Sequence, residues 1–178
     1  MDICRKLRSF GHKFISMEII ELNNSYCKEI VDLILPIQQI EFNVPITLEA
    51  QPDLLDIEKN YIAQGGGFWG AIEGGRLVGT IALLDSGHQA GAIRKMFVRK
   101  EYRGKELGIA QRLLDGLLGD CDKKGITDIY LGTVDMLKAA HRFYEKNGFV
   151  RIPVEALPSY FPRMMADNIF YHLHIESK

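Results

Sequence analysis

The sequence predicts an α+β domain: a mixed, mostly antiparallel sheet of about six to seven strands flanked by about four helices. Three observations carry that prediction. The pair Gly74-Gly75 divides FWGAIEGGRLVGTIALLD into two apolar runs, the pattern of a tight hairpin; AGAIRKMFV, after a further turn at Ser86, Gly87 and His88, extends it to a three-stranded meander. The segment IAQRLLDGLLGDCDKKG sets Ile109, Leu113, Leu117 and Cys121, beside Ala110 and Leu114, at helical spacing. Beyond it strand and helix patterns alternate, so the sheet continues past its antiparallel centre.

Taken in order, MEIIEL from Met17 reads as a first strand, and Asn23 or Asn24 caps a helix marked by Tyr26, Ile30, Leu33 and Ile34. Pro36 predicts a kink or stop there, and IQQIEFNVPITLEAQPD a broken helix or long loop. A second helix is expected over Asp53 to Ala63. After the meander and the long helix, which Gly125 closes, TDIYLGTV reads as a strand. A helix from Met136 to Asn147 follows, with Asp135 as N-cap and Gly148 as the terminating glycine. Phe149 to Ile152 starts a strand, PVEALPSYFPRMMADN is a proline-interrupted loop, and NIFYHLHI alternates as a final half-buried strand.

Bulk properties bound the function. A chain of 178 residues, 47% of them hydrophobic, fits one domain, here 17–178, behind a basic extension at 1–16 with Arg5, Lys6, Arg8 and Lys13. The formal net charge of -1 gives no polycationic field for nucleic acid or an anionic membrane. No apolar run reaches the roughly 20 residues of a membrane-spanning helix. Cys4, Cys27 and Cys121 are odd in number and far apart, which argues against a disulfide framework and a zinc cage and for a reducing cytosol, so a cytoplasmic location is expected. His172 and His174 alternate on one strand face without a third ligand at evident spacing; no metal is expected.

The most informative stretch is MFVRKEYRGKELGIA, where a strand runs through a short basic, glycine-bearing turn directly into the long helix. The first N–H groups of a helix have no internal partner and the dipole is positive there, so such a turn is an anion site. It matches neither GxxxxGK(S/T) nor GxGxxG, which points to a pyrophosphate ligand of another kind.

The stretch Ile93 to Ala110 resembles motif A of the GCN5-related N-acetyltransferase (GNAT) superfamily, whose turn usually reads Arg/Gln-x-x-Gly-x-Gly/Ala. Here the turn is Arg103-Gly104-Lys105-Glu106-Leu107-Gly108, with Glu106 where glycine is common; its side chain is expected to point outward and only its N–H to be used. AAHRFYEKNGF, Ala139 to Phe149, resembles the family's A-x-x-x-F-Y-x-x-x-G-F helix. The resemblance implies acetyl-CoA as co-substrate. Backbone groups of Met96, Phe97 and Val98 would run beside the pantetheine arm in a splay between the fourth and fifth strands. The amides of Arg103, Gly104, Lys105, Glu106, Leu107, Gly108, Ile109 and Ala110 would hold the pyrophosphate, with Phe143 packing near the cofactor.

The same resemblance implies direct transfer of an acetyl (acyl) group to a primary amine. A phenol of reference pKa about 10 stays protonated at neutral pH and can still protonate a departing thiolate of about 8.5, so Tyr144 is the expected catalytic acid; otherwise Phe143 and Tyr144 are core aromatics of an amphipathic helix. Glu41, near Gln38 and Gln39, is the candidate general base; Asp135 is the rival, and a water chain a third route. An N–H near Phe97 or Val98 would meet the oxyanion. The acceptor class is open between small-molecule and peptide or protein amines, with Glu41, Glu49, Asp53 and Asp56 a hint of a cationic small molecule. No nucleic-acid or membrane partner is expected, and if the chain associates, a homodimer is the commonest assembly. The alternative function is a non-catalytic acyl-CoA-binding regulatory module.

Overall fold

Strands β1 (Met17–Glu21), β2 (Gly67–Glu73), β3 (Arg76–Asp85), β4 (Ala90–Val98), β5 (Asp128–Thr133), β6 (Val150–Ile152) and β7 (Ile169–His174) form one sheet in the order β1-β2-β3-β4-β5-β7-β6. The computed structural model describes residues 17–176; the basic extension expected at 1–16 lies outside the described residues. Neighbouring strands are antiparallel except β4 and β5, which run parallel. A parallel pair needs a crossover, and helix α3 (Ile109–Lys124) supplies it, closed by Gly125 at a left-handed φ of 68°. The hairpin between β2 and β3 turns on Gly74 and Gly75, both at positive φ, as the Gly-Gly pair requires.

Each face of the sheet carries its own core. On one, α3 sets Ile109, Leu113, Leu117 and Cys121 against Ile81, Leu83, Ile93, Ile129 and Leu131, joined by Tyr144 from α4 (Lys138–Lys146). On the other, α1 (Cys27–Pro36) and the short α2 (Ile57–Asn60) bring Ile30, Leu33, Ile34, Leu54 and Ile57 onto Phe68 and Ala82. Alternation along the strands sends successive side chains to opposite faces, which decides later which groups meet across the sheet. No described helix is long and apolar enough to cross a membrane.

α1 ends at Pro36, as expected, and the chain turns there into a wide π-turn, Ile37–Glu41, closed by the Phe42 N–H on the Ile37 carbonyl at 3.0 Å. Two other expectations are corrected. The helix expected over Asp53 to Ala63 is three short turns, Pro52–Leu55, Ile57–Asn60 and Ile62–Gln64. Asp56, extended at φ −151°, breaks the run and caps the next turn by accepting from the Lys59 N–H at 3.1 Å. Asp135 is not the cap of α4, whose N-cap is Leu137; its carboxylate meets Lys138 instead.

Leu113 is fully buried at the centre of the α3 core. Leu113→Ala should lower stability by about 2–5 kcal/mol, read as a lower urea midpoint with an unchanged slope.

Candidate active site

Pairing between β4 and β5 is confined to Ala90 with Asp128, Gly91 with Ile129 and Ala92 with Tyr130. Beyond these residues the strands part, while β4 stays paired to β3 as far as Val98 and β5 to β7 as far as Thr133. The β4 edge from Ile93 to Val98 that faces β5 therefore carries backbone N–H and C=O groups without a strand partner, and such groups require one. The cause is one extra residue. Thr80 pairs with Phe97 and Ala82 with Arg94, so Ile81 alone stands opposite Lys95 and Met96. A bulge of this kind bends its strand and sharpens the twist. Lys95 adopts a φ of 52°, costly for a residue with a Cβ, and the buried Thr80 hydroxyl holds it by donating to the Lys95 carbonyl at 2.8 Å.

The bulge turns the Lys95 side chain into the α1 side of the sheet. There its buried ammonium donates to Gln51 Oε1 at 2.8 Å and pairs with Asp53 at 3.1 Å. Gln51 exchanges hydrogen bonds with Gln38 at 2.8 and 3.3 Å, and Tyr61 donates its hydroxyl to Asp53 at 2.5 Å. Burial lowers the Lys95 pKa although Asp53 opposes that shift. This network ties the irregular segment between α1 and β2 to the floor of the parting. The only sequence trace of it is the pair Arg94-Lys95, which interrupts an apolar strand.

The residues expected to bind pyrophosphate are brought together. Arg103 to Gly108 form an exposed turn, with Gly104 at φ 115° and Gly108, the N-cap of α3, at φ 60°. No side chain caps α3 and no acidic residue occupies its first turn, so the amides of Ile109 and Ala110 have no competing carboxylate there. Glu106 is exposed and keeps negative φ, so its backbone does not need the glycine common at this position. Arg103 donates through Nε to the Val98 carbonyl at 2.7 Å and lies 5.8 Å from the centre of the Phe42 ring.

Glu41, the expected general base, is engaged by Arg103. Both carboxylate oxygens engage Arg103, one of them at 2.9 Å from Nη2, and the hydrogen bonds from that guanidinium hold the carboxyl below its ordinary range. Its neighbour Gln39 caps the Ile46 carbonyl at 2.7 Å. In this geometry Glu41 is a partner of the phosphate turn.

Tyr144 is buried on the α3 side, and its hydroxyl points at Met96 Sδ, 3.4 Å away, at the bulged end of β4. Burial pushes the phenol well above its ordinary pKa, and the Asp167 carboxylate adds to that. Phe143 packs edge-on to Tyr144 at 5.6 Å and is partly buried. Asp167, in the loop before β7, stands on the opposite face against Gly132, as close as a Cβ there would allow nothing else: that atom would lie 2.2 Å from Asp167 Oδ2. Nothing in MMADN singled it out. His172 and His174 share one oxygen of Asp128, at 2.8 and 3.0 Å.

The acetyltransferase (GNAT) family profile matches residues 31–149. A GNAT-family acetyltransferase from Staphylococcus aureus Mu50 has a similar structure, with a TM-score of 0.87 and 44% identity over 90% of this chain and 100% of that one. An acetyltransferase from Streptococcus agalactiae gives a TM-score of 0.86 and 32% identity over 91% of this chain and 100% of that one. N-acetyltransferase family 8 member 2 of Rattus norvegicus is 36% identical over 104 residues, 56% of this chain and 45% of that protein. The chain spans about half the length of the curated relatives it matches. It belongs to the GNAT family of N-acetyltransferases, whose co-substrate is acetyl-CoA.

Removing the partner of the buried Lys95 tests the network. Asp53→Asn should cost about 3 kcal/mol at neutral pH. Burial sets the folded lysine pKa below the 10.5 of the exposed group, and loss of Asp53 lowers it further, so the penalty is full below the variant's folded value. It should shrink as pH rises from there to the wild-type folded value, which urea unfolding at pH 7 and pH 10 would show.

Proposed function

We propose that the chain transfers an acetyl or related acyl group from acyl-CoA directly to a primary amine. The observation that carries this reading is the parting of β4 from β5, with an uncapped helix N-terminus at one end of β4 and a buried phenol beside its bulge. In this reading the pantetheine arm lies along the unpaired edge from Met96 to Val98, taking the place of a strand partner. The pyrophosphate rests on the amides from Arg103 to Ala110, with the Arg103 guanidinium exchanging Glu41 for a phosphate oxygen. That geometry puts the thioester in the parting, where an N–H near Phe97 or Val98 meets the developing oxyanion.

Tyr144 serves as the acid. Its raised pKa keeps the proton on the phenol at neutral pH, and its hydroxyl sits at the sulfur of Met96, within the parting where the leaving thiolate would lie. A covalent acyl-enzyme is disfavoured, because Cys121 is wholly buried in the α3 core and burial pushes its thiol up to about 12. In this reading Phe143, partly buried beside Tyr144 on α4, packs near the cofactor.

Calorimetric titration with acetyl-CoA, with thiol release measured over a panel of primary amines, tests the proposal. Binding with amine-dependent release is expected; binding without release on a broad panel would leave a cofactor-binding module in its place. Tyr144→Phe should lower kcat about 100-fold with the acetyl-CoA dissociation constant unchanged. Arg103→Ala should weaken acetyl-CoA binding about tenfold or more, the loss expected for a charge-assisted hydrogen bond.

A further inference from the structure

The geometry points to Asp167 as the general base: from the face of the sheet opposite Tyr144, its carboxylate receives the proton of the attacking amine. This rests on the transferase reading above and adds to it a residue that the sequence motifs do not contain.

Three structural facts place it there. Along β5, Ile129 and Leu131 point into the α3 core, so Gly132 presents its open side to the α1 face. A side chain at 132 would occupy the position of Asp167, with Oδ2 2.2 Å and Cγ 2.6 Å from the added Cβ. The strand is thus open to this carboxylate at its parted end. Second, the register that pairs Ala92 with Tyr130 puts Arg94 level with Gly132, in the region where β4 and β5 no longer touch. Arg94 pairs with Ala82 on the α1 face, so it borders the same space. Third, the Asp167 backbone is anchored: its N–H donates to the Met164 carbonyl at 3.2 Å, and the next N–H, of Asn168, to the Thr133 carbonyl at 3.0 Å. Asn168 in turn accepts from the Asp135 N–H at 3.0 Å.

The charged groups facing Asp167 are Arg94 from β4, Arg163 from its own loop and Tyr144 from α4. Neither arginine comes within ion-pairing distance among the described residues: Arg94 donates to the Pro162 carbonyl, and Arg163 lies 5.2 Å over the Phe170 ring. Burial raises the carboxyl above its ordinary value while both guanidiniums restrain the rise. A carboxylate more basic than an exposed one suits proton abstraction.

The chemistry closes on these two groups. The amine nitrogen attacks the thioester carbonyl carbon and the C–N bond forms. A nitrogen-bound proton passes to Asp167. The C–S bond breaks, and the thiolate takes the phenolic proton of Tyr144. Solvent then returns the proton from Asp167 to Tyr144, so one amine and one acyl-CoA give one amide and one CoA thiol.

The test measures pH–rate profiles of acetyl transfer for the wild type, Asp167→Asn and Gly132→Ala, with free amino acids, ethanolamine and cadaverine as acceptors. Asp167→Asn is expected to lower kcat at least 100-fold. It should also abolish the acid limb of the profile and retain the wild-type acetyl-CoA affinity and unfolding temperature. Gly132→Ala, which displaces the carboxylate without removing it, should lower kcat and shift that limb. Acceptors of lower amine pKa should recover part of the lost rate in Asp167→Asn. A wild type that turns over beside an Asp167→Asn variant within threefold of it, with the acid limb intact, would overturn the assignment alone. A wild type that binds acetyl-CoA and acylates nothing would overturn the transferase reading and the assignment with it.

Discussion

At Lys95 the chain adopts a left-handed backbone conformation and buries an ammonium, two unfavourable acts that are offset locally. The Thr80 hydroxyl holds the carbonyl; Gln51 and Asp53 hold the nitrogen. What results is a strand that carries one residue more than its neighbour and therefore turns away from β5 after three pairs. The free edge of β4, the reach of Tyr144 to Met96 and the opening over Gly132 all lie within that parting. A β4 of ordinary register would zip onto β5 and leave no slot.

The fold was legible where the chain signals locally. The Gly74-Gly75 turn and the apolar stripe of α3 with its Gly125 stop each depend on a few adjacent residues and stand as read; β7 forms where expected, but Ile169, Phe170 and Tyr171 are buried in succession, so it does not alternate. The errors share a physical cause: Asp56 and Asp135 are judged by what they do in an isolated helix, but a cap on the next turn and an ion pair with Lys138 absorb them. The turn from Arg103 to Gly108 was legible because its glycines and basic residues are contiguous. The groups contributed by distant segments were not. Lys95 meets Asp53 across 42 positions of sequence, and Asp167 meets Gly132 across a long loop, so no spacing rule reaches either pair.

The sheet also divides the chemistry. Tyr144 approaches the parting from the α3 side, whereas Arg94, Lys95 and Asp167 border it from the α1 side. In the proposed function, a thioester between the strands would be open to a nucleophile from one face and a proton donor from the other. Where the strands have parted, the two groups border one opening from its two sides.

Arg103 has a carboxylate for company before any phosphate arrives. In the proposed function, loading the cofactor would be an ion exchange more than an addition, with one anion taking the seat of another. The change in local charge is smaller than the phosphates alone would produce, because the Glu41 ion pair given up offsets part of the electrostatic gain. The site gives up some intrinsic grip in return for a guanidinium that is already aimed. Glu41 ends the π-turn that continues α1, so one ion pair fastens the turn before α3 to the segment between α1 and β2. Two stretches of chain far apart in sequence are thereby buttoned together by a single side chain.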